Sequence, residues 1–218
     1  MKILAVSDQV VDRIYELIPR GHFAGTKMVL SCGDLPYAYL EYMVTLLNVP
    51  VFYVPGNHDP ADRPNVEGAH AAGCVNLDLR SVECQEVLLA GLGGSIRYRP
   101  DAVNQYTQQE AYLRAFRMVP ALLRNRARYG RALDILVTHS PPFGVHDDDS
   151  SAHRGLKAIN WLLRWARPRF HLHGHLHNHL RNLEASTTWL GPTAVMNVFP
   201  HSMIDYPHDG LPEREGKR

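Results

Sequence analysis

The segment RFHLHGHLH, residues 169–177, carries the densest chemical information in this chain of 218 residues. Residues 169–172 have the pattern of a short buried strand, and a glycine-centred run of histidines follows at once. Because a strand places alternate residues on one face, His175 and His177 have the spacing to converge on a metal ion. A polar histidine cluster at a strand edge would look the same, so the interpretation depends on the other strands.

Short apolar runs alternate with segments whose apolar residues have helical spacing. The predicted strands are residues 2–7, 28–32, 51–54, 87–90, 135–138, 169–172 and 194–198. The predicted helices are residues 11–18, 37–47, 108–129 and 155–166. Thr107 and Glu110 have the spacing of a capping box, and Pro120 is expected to kink or split the third helix. The alternation predicts an α/β architecture with helices packed on sheet faces.

The composition is that of a globular protein, with 45% hydrophobic and 21% charged residues. We expect one domain over residues 1–206 and a frayed, charged tail over residues 207–218. A surface loop is expected over residues 60–73. The 23 basic and 22 acidic residues nearly balance, which argues against a nucleic-acid partner. No apolar run approaches the roughly 18–20 residues that cross a bilayer, so no membrane association is expected.

The cysteines and the N-terminus favour a cytoplasmic location. Cys32, Cys74 and Cys84 are widely spaced and form no CxxC pair, which is typical of free thiols in a reducing compartment. The first residues pass directly into a strand-like run without the features of a signal peptide.

Polar residues with ligand chemistry follow several of the predicted strands directly. These strand ends carry Ser7-Asp8, Gly33-Asp34, Gly56-Asn57-His58-Asp59, His139 and Gly174-His175-Leu176-His177. Ligands of open α/β sheets bind beyond the carboxyl ends of the strands, so these residues are expected around one pocket. Carboxylate, amide and imidazole donors suit Mn²⁺, Fe or Zn²⁺. A lone Gly-Asp is most often a turn and a lone Thr-His a hydrogen-bonded histidine, but the ordered set favours a metal site.

This ordered set resembles the calcineurin-like metallophosphoesterases, over residues 1 to about 200. The resemblance implies a four-layer α/β/β/α sandwich with a dinuclear metal centre at one edge of its two sheets. It implies that Asp34 bridges the metals, that Asp8 and His177 hold the first, and that three residues hold the second: Asn57, His139 and His175. His58 resembles the histidine that protonates the leaving group, and Asp59 is expected to orient it.

The sequence departs from the family at Val10, where the usual Asp-x-His motif has its histidine. A first metal with fewer protein ligands and an extra water is one interpretation. Replacement by another residue is a second, and occupation of the second site alone is a third. The candidates for a replacement ligand are Gln9, Asp12, His22 and His153.

The resemblance implies a metal-dependent phosphoesterase that hydrolyses a phosphodiester or phosphomonoester with a metal-activated hydroxide. Two divalent ions are expected, with Mn²⁺ the most effective in assays. The alternative is a catalytically weak or inactive scaffold protein of the same fold. The expected partner is a small phosphorylated substrate. Arg97 is a candidate to contact its phosphate, and a surface arginine without a role in binding is the alternative. The apolar face of residues 155–166 is compatible with a homodimer.

Overall fold

Two β-sheets packed face to face form the centre of the protein, in a computed structural model that describes residues 1–61, 68–177, 183–184 and 186–207. The first sheet has the order β13-β1-β2-β3-β4 and contains β1 (Lys2–Val6), β2 (Thr26–Ser31), β3 (Val51–Tyr53), β4 (Val75–Asn76) and β13 (His201–Asp205). Its strands are parallel except β13, which pairs antiparallel with β1.

The second sheet has six strands in the order β11-β12-β10-β9-β6-β5. They are β5 (Ser81–Cys84), β6 (Val87–Leu92), β9 (Ile135–Thr138), β10 (Phe170–His173), β11 (Thr187–Leu190) and β12 (Thr193–Asn197). The four inner strands are parallel, and the two edge strands are antiparallel to their neighbours. A small parallel pair, β7 (Ser95–Ile96) and β8 (Gln105–Tyr106), follows β6.

Helices cover the outer face of each sheet. They are α1 (Asp12–Leu17), α2 (Tyr37–Leu47), α3 (Gln108–Tyr129) and α4 (Lys157–Ala166). Residues of α1 and α2 share one apolar cluster with the first sheet, and residues of α3 and α4 share another with the second sheet. A third cluster lies between the sheets. The predicted four-layer α/β/β/α sandwich is confirmed.

Strand burial explains why the sequence pattern is nearly continuous in its apolar residues. In β1, Ile3 and Ala5 face the other sheet, whereas Leu4 and Val6 face the helices. Parallel strands covered on both faces need apolar side chains on both. All seven predicted strands occur, with ends shifted by at most two residues, and the helices 37–47 and 108–129 have the predicted bounds.

The described strands missed by the sequence analysis are short or lie at edges. They are β4, β5, β7, β8, β11 and β13. Of these, β5 and β11 have no fully buried residue, so their sequences lack the apolar run that marks a central strand. These edge strands form because they pair with a buried neighbouring strand. The sequence of the edge segment alone does not show this pairing.

The expectation of a split at Pro120 is wrong, because α3 runs unbroken through it. Pro120 removes the N–H that the Phe116 carbonyl would have accepted. Both residues are exposed, so this loss falls on the solvent side of the helix and not in the core. The predicted capping box is confirmed: the Thr107 hydroxyl accepts from the Glu110 N–H, and the Glu110 carboxylate accepts from the Thr107 N–H.

The three cysteines are free, as predicted. Cys32 is fully buried between the sheets, where burial raises the pKa of its thiol well above the usual value. No helix in the described part of the chain combines the length and apolar character that crossing a membrane requires. Residues 62–67 of the predicted surface loop and 208–218 of the predicted tail lie outside the described residues.

Replacing Leu172 of β10 with alanine tests the importance of the core between the sheets. Leu172 is fully buried there, so Leu172→Ala should lower the free energy of unfolding by about 2–5 kcal/mol. Leu46→Ala, at an exposed position of α2, is the matched control and should change it by no more than about 0.5 kcal/mol. Urea unfolding measures both. An equal decrease in the free energy of unfolding for the two variants would contradict this placement of the core.

Candidate metal centre

Donor atoms from both sheets meet around the imidazole of His139, which follows β9. Its Nε2 lies 3.3 Å from Oδ2 of Asp34, 3.0 Å from Oδ1 of Asn57 and 3.0 Å from Nδ1 of His175. Asp34 and Asn57 follow β2 and β3 of the first sheet, whereas His175 follows β10 of the second. The structure therefore brings together the four residues predicted around the second metal.

Backbone carbonyls orient the two imidazoles. Nδ1 of His139 lies 2.8 Å from the carbonyl oxygen of Cys32, and Nε2 of His175 lies 2.8 Å from that of Ala152. A carbonyl only accepts, so both of these ring nitrogens donate. The opposite nitrogens, Nε2 of His139 and Nδ1 of His175, then face each other at the middle of the centre. The outer contacts of a metal-binding histidine set its orientation in the same way.

The electrostatics of the centre favour positive charge in its middle. Burial opposes charge on His139, but the charge of Asp34, its hydrogen bond and the charge of Asp8 outweigh burial and raise the pKa of His139 to about 9. Burial also opposes charge on Asp34, yet His139 and the His58 N–H lower the pKa of that carboxyl to about 2. Burial and the His139 charge lower the pKa of His175 to about 3.

Three of the predicted ligands have left-handed backbone conformations. The φ angles are 64° at Asp8, 55° at Asp34 and 67° at His175. Such conformations are costly for residues with a Cβ and cluster at functional sites, where the surrounding structure must hold them. Here the Asp8 N–H donates to the Gly33 carbonyl, and the His175 N–H donates to the Asp8 carboxylate at 3.0 Å.

Glycines allow the ligand loops to approach one another. A Cβ at Gly33 would lie 2.5 Å from the amide nitrogen of Gly56, and one at Gly174 would collide with Ser7 and the Asp8 carboxylate. A Cβ at Gly56 would collide with the Asp34 carboxylate. The glycines at these strand ends are therefore required by close contact between loops, and by the positive φ of 93° at Gly33.

The donor set fits a divalent cation. One carboxylate, one amide oxygen and two imidazoles of fixed orientation lie within contact of a single point. Among the described residues, Asp34, His139 and His175 form the one group of acidic, histidine or cysteine side chains whose ligand atoms all lie within 4.8 Å. A centre that keeps a buried imidazole protonated also stabilises a metal ion.

A family model described as calcineurin-like phosphoesterase matches residues 1–179. The chain belongs to this family. Uncharacterized protein MJ1162 of Methanocaldococcus jannaschii is 26% identical over 146 residues, and the match spans 62% of each protein, less than two thirds of that relative. A solved structure of TT1561 of Thermus thermophilus is 19% identical and covers 90% of this chain and 88% of its own, with a TM-score of 0.59. Another solved structure, 14% identical, covers 94% of both chains with a TM-score of 0.65.

The residues predicted to hold a first metal are less well assembled than those around His139. The Asp8 carboxylate accepts from the Ser7 hydroxyl and from the His175 N–H. Burial raises its pKa despite the charge of His139. His177 is exposed and stacks on Phe199, with ring centroids 4.7 Å apart. Asp8 and His177 do not join a metal-capable group of side chains in the described part of the chain.

Val10 packs with the apolar cluster beneath α1 and α2. Of the four candidates to replace the missing histidine, Gln9, Asp12 and His22 are exposed, and Asp12 begins α1. His153 is the candidate beside the site, with its ring centroid 5.4 Å from that of His175. Its Nδ1 lies 3.3 Å from the Asp148 carboxylate.

His58 lies beside Asp34 at the edge of the centre, whereas the hydrogen bonds of Asp59 go to other groups than the His58 ring. The His58 side chain is 70% exposed, and its Nε2 lies 4.0 Å from Oδ2 of Asp34. The Asp59 carboxylate instead accepts from the N–H groups of Asp34 and Gly56, at 2.9 and 2.7 Å. Asp59 thus ties two ligand loops together, and no contact with the His58 ring is seen among the described residues. The orienting role of Asp59 stays a prediction, because its carboxylate points inward and the His58 ring outward.

Arg97 also differs from expectation. Its guanidinium donates to the Gln105 carbonyl and pairs with the Glu110 carboxylate at 2.9 Å, so it holds β8 and the start of α3 together. The next residue, Tyr98, is the one that reaches the centre, where its hydroxyl accepts from Nδ2 of Asn57 at 3.2 Å. This contact keeps Oδ1 of Asn57 turned toward His139. Successive residues of an extended segment point to opposite sides, which sequence alone does not resolve here.

A cleft of about 820 Å³ opens beside Asp34 and His58. Tyr37, Glu41, His70 and Ala72 are among the residues that line it. It is large enough for the organic part of a small phosphate ester, since ligand pockets commonly measure about 300–1,000 Å³.

The stability of the metal-free protein should pass through a maximum near pH 6.5. His139 has a raised pKa, so its contribution is complete below about 6.5 and is lost as pH rises toward about 9. His171 and His175 have pKa values lowered to about 3 by burial, so the folded state binds fewer protons and stability falls as pH drops below about 6.5.

The test is urea unfolding in EDTA from pH 5 to 9. His139→Gln should remove the fall in stability between about pH 6.5 and 9. The fall below about pH 6.5 should persist through burial of His171 and His175 but become smaller, because the His139 charge no longer lowers the pKa of His175. If the free energy of unfolding of this variant still falls between about pH 6.5 and 9, another group is the cause of that fall.

Proposed function

We propose that this phosphoesterase hydrolyses the phosphodiester or phosphomonoester bond of a small phosphorylated substrate, with Mn²⁺, Fe or Zn²⁺ at the centre. The observation that supports this most strongly is that donor atoms of Asp34, Asn57 and His175 lie within 3.3 Å of Nε2 of His139. The free cysteines support a cytoplasmic location.

The better-formed metal position would be held by Asp34, Asn57, His139 and His175. The other position would be held by Asp8 and His177, with Asp34 shared between the two. A bound divalent cation supplies Lewis acidity toward the phosphoryl oxygens and lowers the pKa of bound water. The chain's own contribution is to keep the ligands oriented before metal binds, through the Cys32 and Ala152 carbonyls and the Tyr98 hydroxyl. Such prior organisation reduces the cost of assembling the site.

His58 would act as the general acid in this reaction. Its side chain is exposed to the cleft while its backbone N–H is anchored to Oδ1 of Asp34 at 2.8 Å. The imidazole can therefore reach a leaving-group oxygen of a substrate held at the centre without itself being buried among the ligands. Donation of a proton to that oxygen prevents the build-up of alkoxide charge as the ester bond breaks.

Hydrolysis of bis-p-nitrophenyl phosphate with Mn²⁺ tests this function. His58→Ala should lower kcat by about 10²–10⁴-fold without reducing bound metal, since His58 is not among the close donors. Asp34→Asn should lose both metal and activity, because the carboxylate is central to both. His22→Ala, which removes an exposed histidine outside the centre, is the control and should match the unmodified protein. Absence of turnover across Mn²⁺, Fe²⁺ and Zn²⁺ would contradict the proposal.

A catalytically weak scaffold is the second candidate function. Two observations favour it: Val10 packs into an apolar cluster where the family has a ligand, and exposed His177 stacks on Phe199. Both weaken the first metal position and leave the second intact.

Metal titration by calorimetry separates the two functions. We expect one Mn²⁺ to bind tightly at the position around His139. Another should bind at least about tenfold more weakly at the position of Asp8 and His177, because that position has lost one of its ligands. His139→Gln should abolish the tight event and leave the weak one. If no metal binds to the unmodified protein after reconstitution, the scaffold function is the correct one.

A further inference from the structure

An apolar seam runs along the outer side of α3. Leu113, Phe116 and Leu123 are 63%, 51% and 50% exposed, although residues of this kind are normally buried. Pro120, which is also exposed, lies between the last two, so the apolar positions are separated by three, four and three residues. This spacing is the a/d pattern of a coiled-coil seam.

The seam faces away from the protein's own core. The residues of α3 that do pack inward are Ala111, Ala115, Met118, Leu122 and Asn125. With Leu113 and Phe116 at positions a and d, Ala115 and Met118 fall at positions c and f, on the opposite side of the helix. The folding of this domain therefore does not explain the seam, and its exposure is a standing cost in water.

Aromatic rings of α4 extend this seam. The Phe116 ring lies 4.7 Å from that of Trp161, and Trp161 stacks on Trp165 at 5.8 Å with the rings nearly parallel. Both tryptophans are half-buried. We refer to Leu113, Phe116, Leu123, Trp161 and Trp165 as the α3–α4 surface. Tryptophan held rigidly by a neighbour is the residue type that most often dominates a binding interface.

The charges around the α3–α4 surface have one sign. Helix α3 carries five arginines, of which Arg114 pairs inward, with Asp78. Its one acidic residue, Glu110, pairs with Arg97. Helix α4 carries Lys157 and Arg164 and no acidic residue. The whole chain is nearly neutral, at +1, so these two helices concentrate basic charge. Arg117 and Arg124 occupy the two e positions beside the seam, where coiled-coil partners place a complementary charge.

We propose that the α3–α4 surface binds an acidic amphipathic helix of another protein. The apolar face of that helix packs on the seam and against Trp161, and its glutamates pair with Arg117 and Arg124. Charge complementarity determines this choice of occupant. A second copy of this chain would bring arginine against arginine, because Glu110 is the sole acidic residue of α3.

A synthetic peptide serves as the probe. It has three heptads with Leu at a and d, Glu at e and g, and a fluorescein label; a matched peptide carries Lys in place of Glu. Fluorescence anisotropy should show binding of the Glu peptide at least about tenfold tighter than that of the Lys peptide, and weaker binding at high salt.

Charge reversal provides the decisive variant. Arg117→Glu combined with Arg124→Glu should reverse the preference, so that the Lys peptide binds more tightly, and both replaced side chains are exposed. Phe116→Ser should weaken binding of either peptide by at least about tenfold, as expected of an anchor residue. Trp189→Ser removes an exposed tryptophan of β11 and is the control that should leave binding unchanged. Circular dichroism confirms folding of each variant.

Three results would overturn the proposal. The first is equal affinity for the two peptides, or no binding of either. The second is self-association in sedimentation equilibrium that Phe116→Ser abolishes, which would place a second copy on the surface. The third is binding to phosphatidylcholine–phosphatidylglycerol vesicles with no peptide preference, which would make the occupant a bilayer. None of these measurements depends on phosphoesterase activity.

Discussion

The contact between Asp34 and His139 is the interaction on which the rest of the centre depends. Asp34 comes from the end of β2 in one sheet and His139 from the end of β9 in the other, so their 3.3 Å contact joins the two sheets at one edge. Each group makes the charged form of the other favourable inside the protein, against the opposing effect of burial. An isolated charge at either position would be costly, whereas the pair is compensated.

The loops around this contact are held in conformations that they would not adopt alone. Left-handed φ angles at Asp8, Asp34 and His175 cost energy, and hydrogen bonds between loops stabilise them. Asp59 is the clearest example, because its buried carboxylate receives the N–H groups of two ligand loops. The core between the sheets provides the rigid support. Part of its stabilising free energy offsets the cost of the strained loop conformations that place the donor atoms.

The centre is asymmetric, and the asymmetry has a local origin. The ligands around His139 have orienting contacts through the Cys32 and Ala152 carbonyls. On the other side, Val10 contributes to the apolar cluster beneath α1 and α2. The Val10 side chain has no donor atom, and Asp8 and His177 do not join a group of three ligand atoms among the described residues. The donor side chains are therefore better organised around His139 than around Asp8 and His177.

The sequence by itself determined the layers and the types of donor. Strands buried on both faces require nearly continuous apolar runs, and helices packed on a sheet require apolar residues at helical spacing, so both patterns are recorded locally. The polar residues at the strand ends were predicted because parallel strands place their carboxyl ends at one edge. Only the tertiary structure decided which of these donors meet. The Asp59 carboxylate joins two ligand loops, the Tyr98 hydroxyl contacts Asn57, and Arg97 pairs with Glu110. His177 lies apart from the group around His139. These outcomes depend on the direction of individual side chains and on contacts between residues far apart in the chain, and packing of the two sheets sets both.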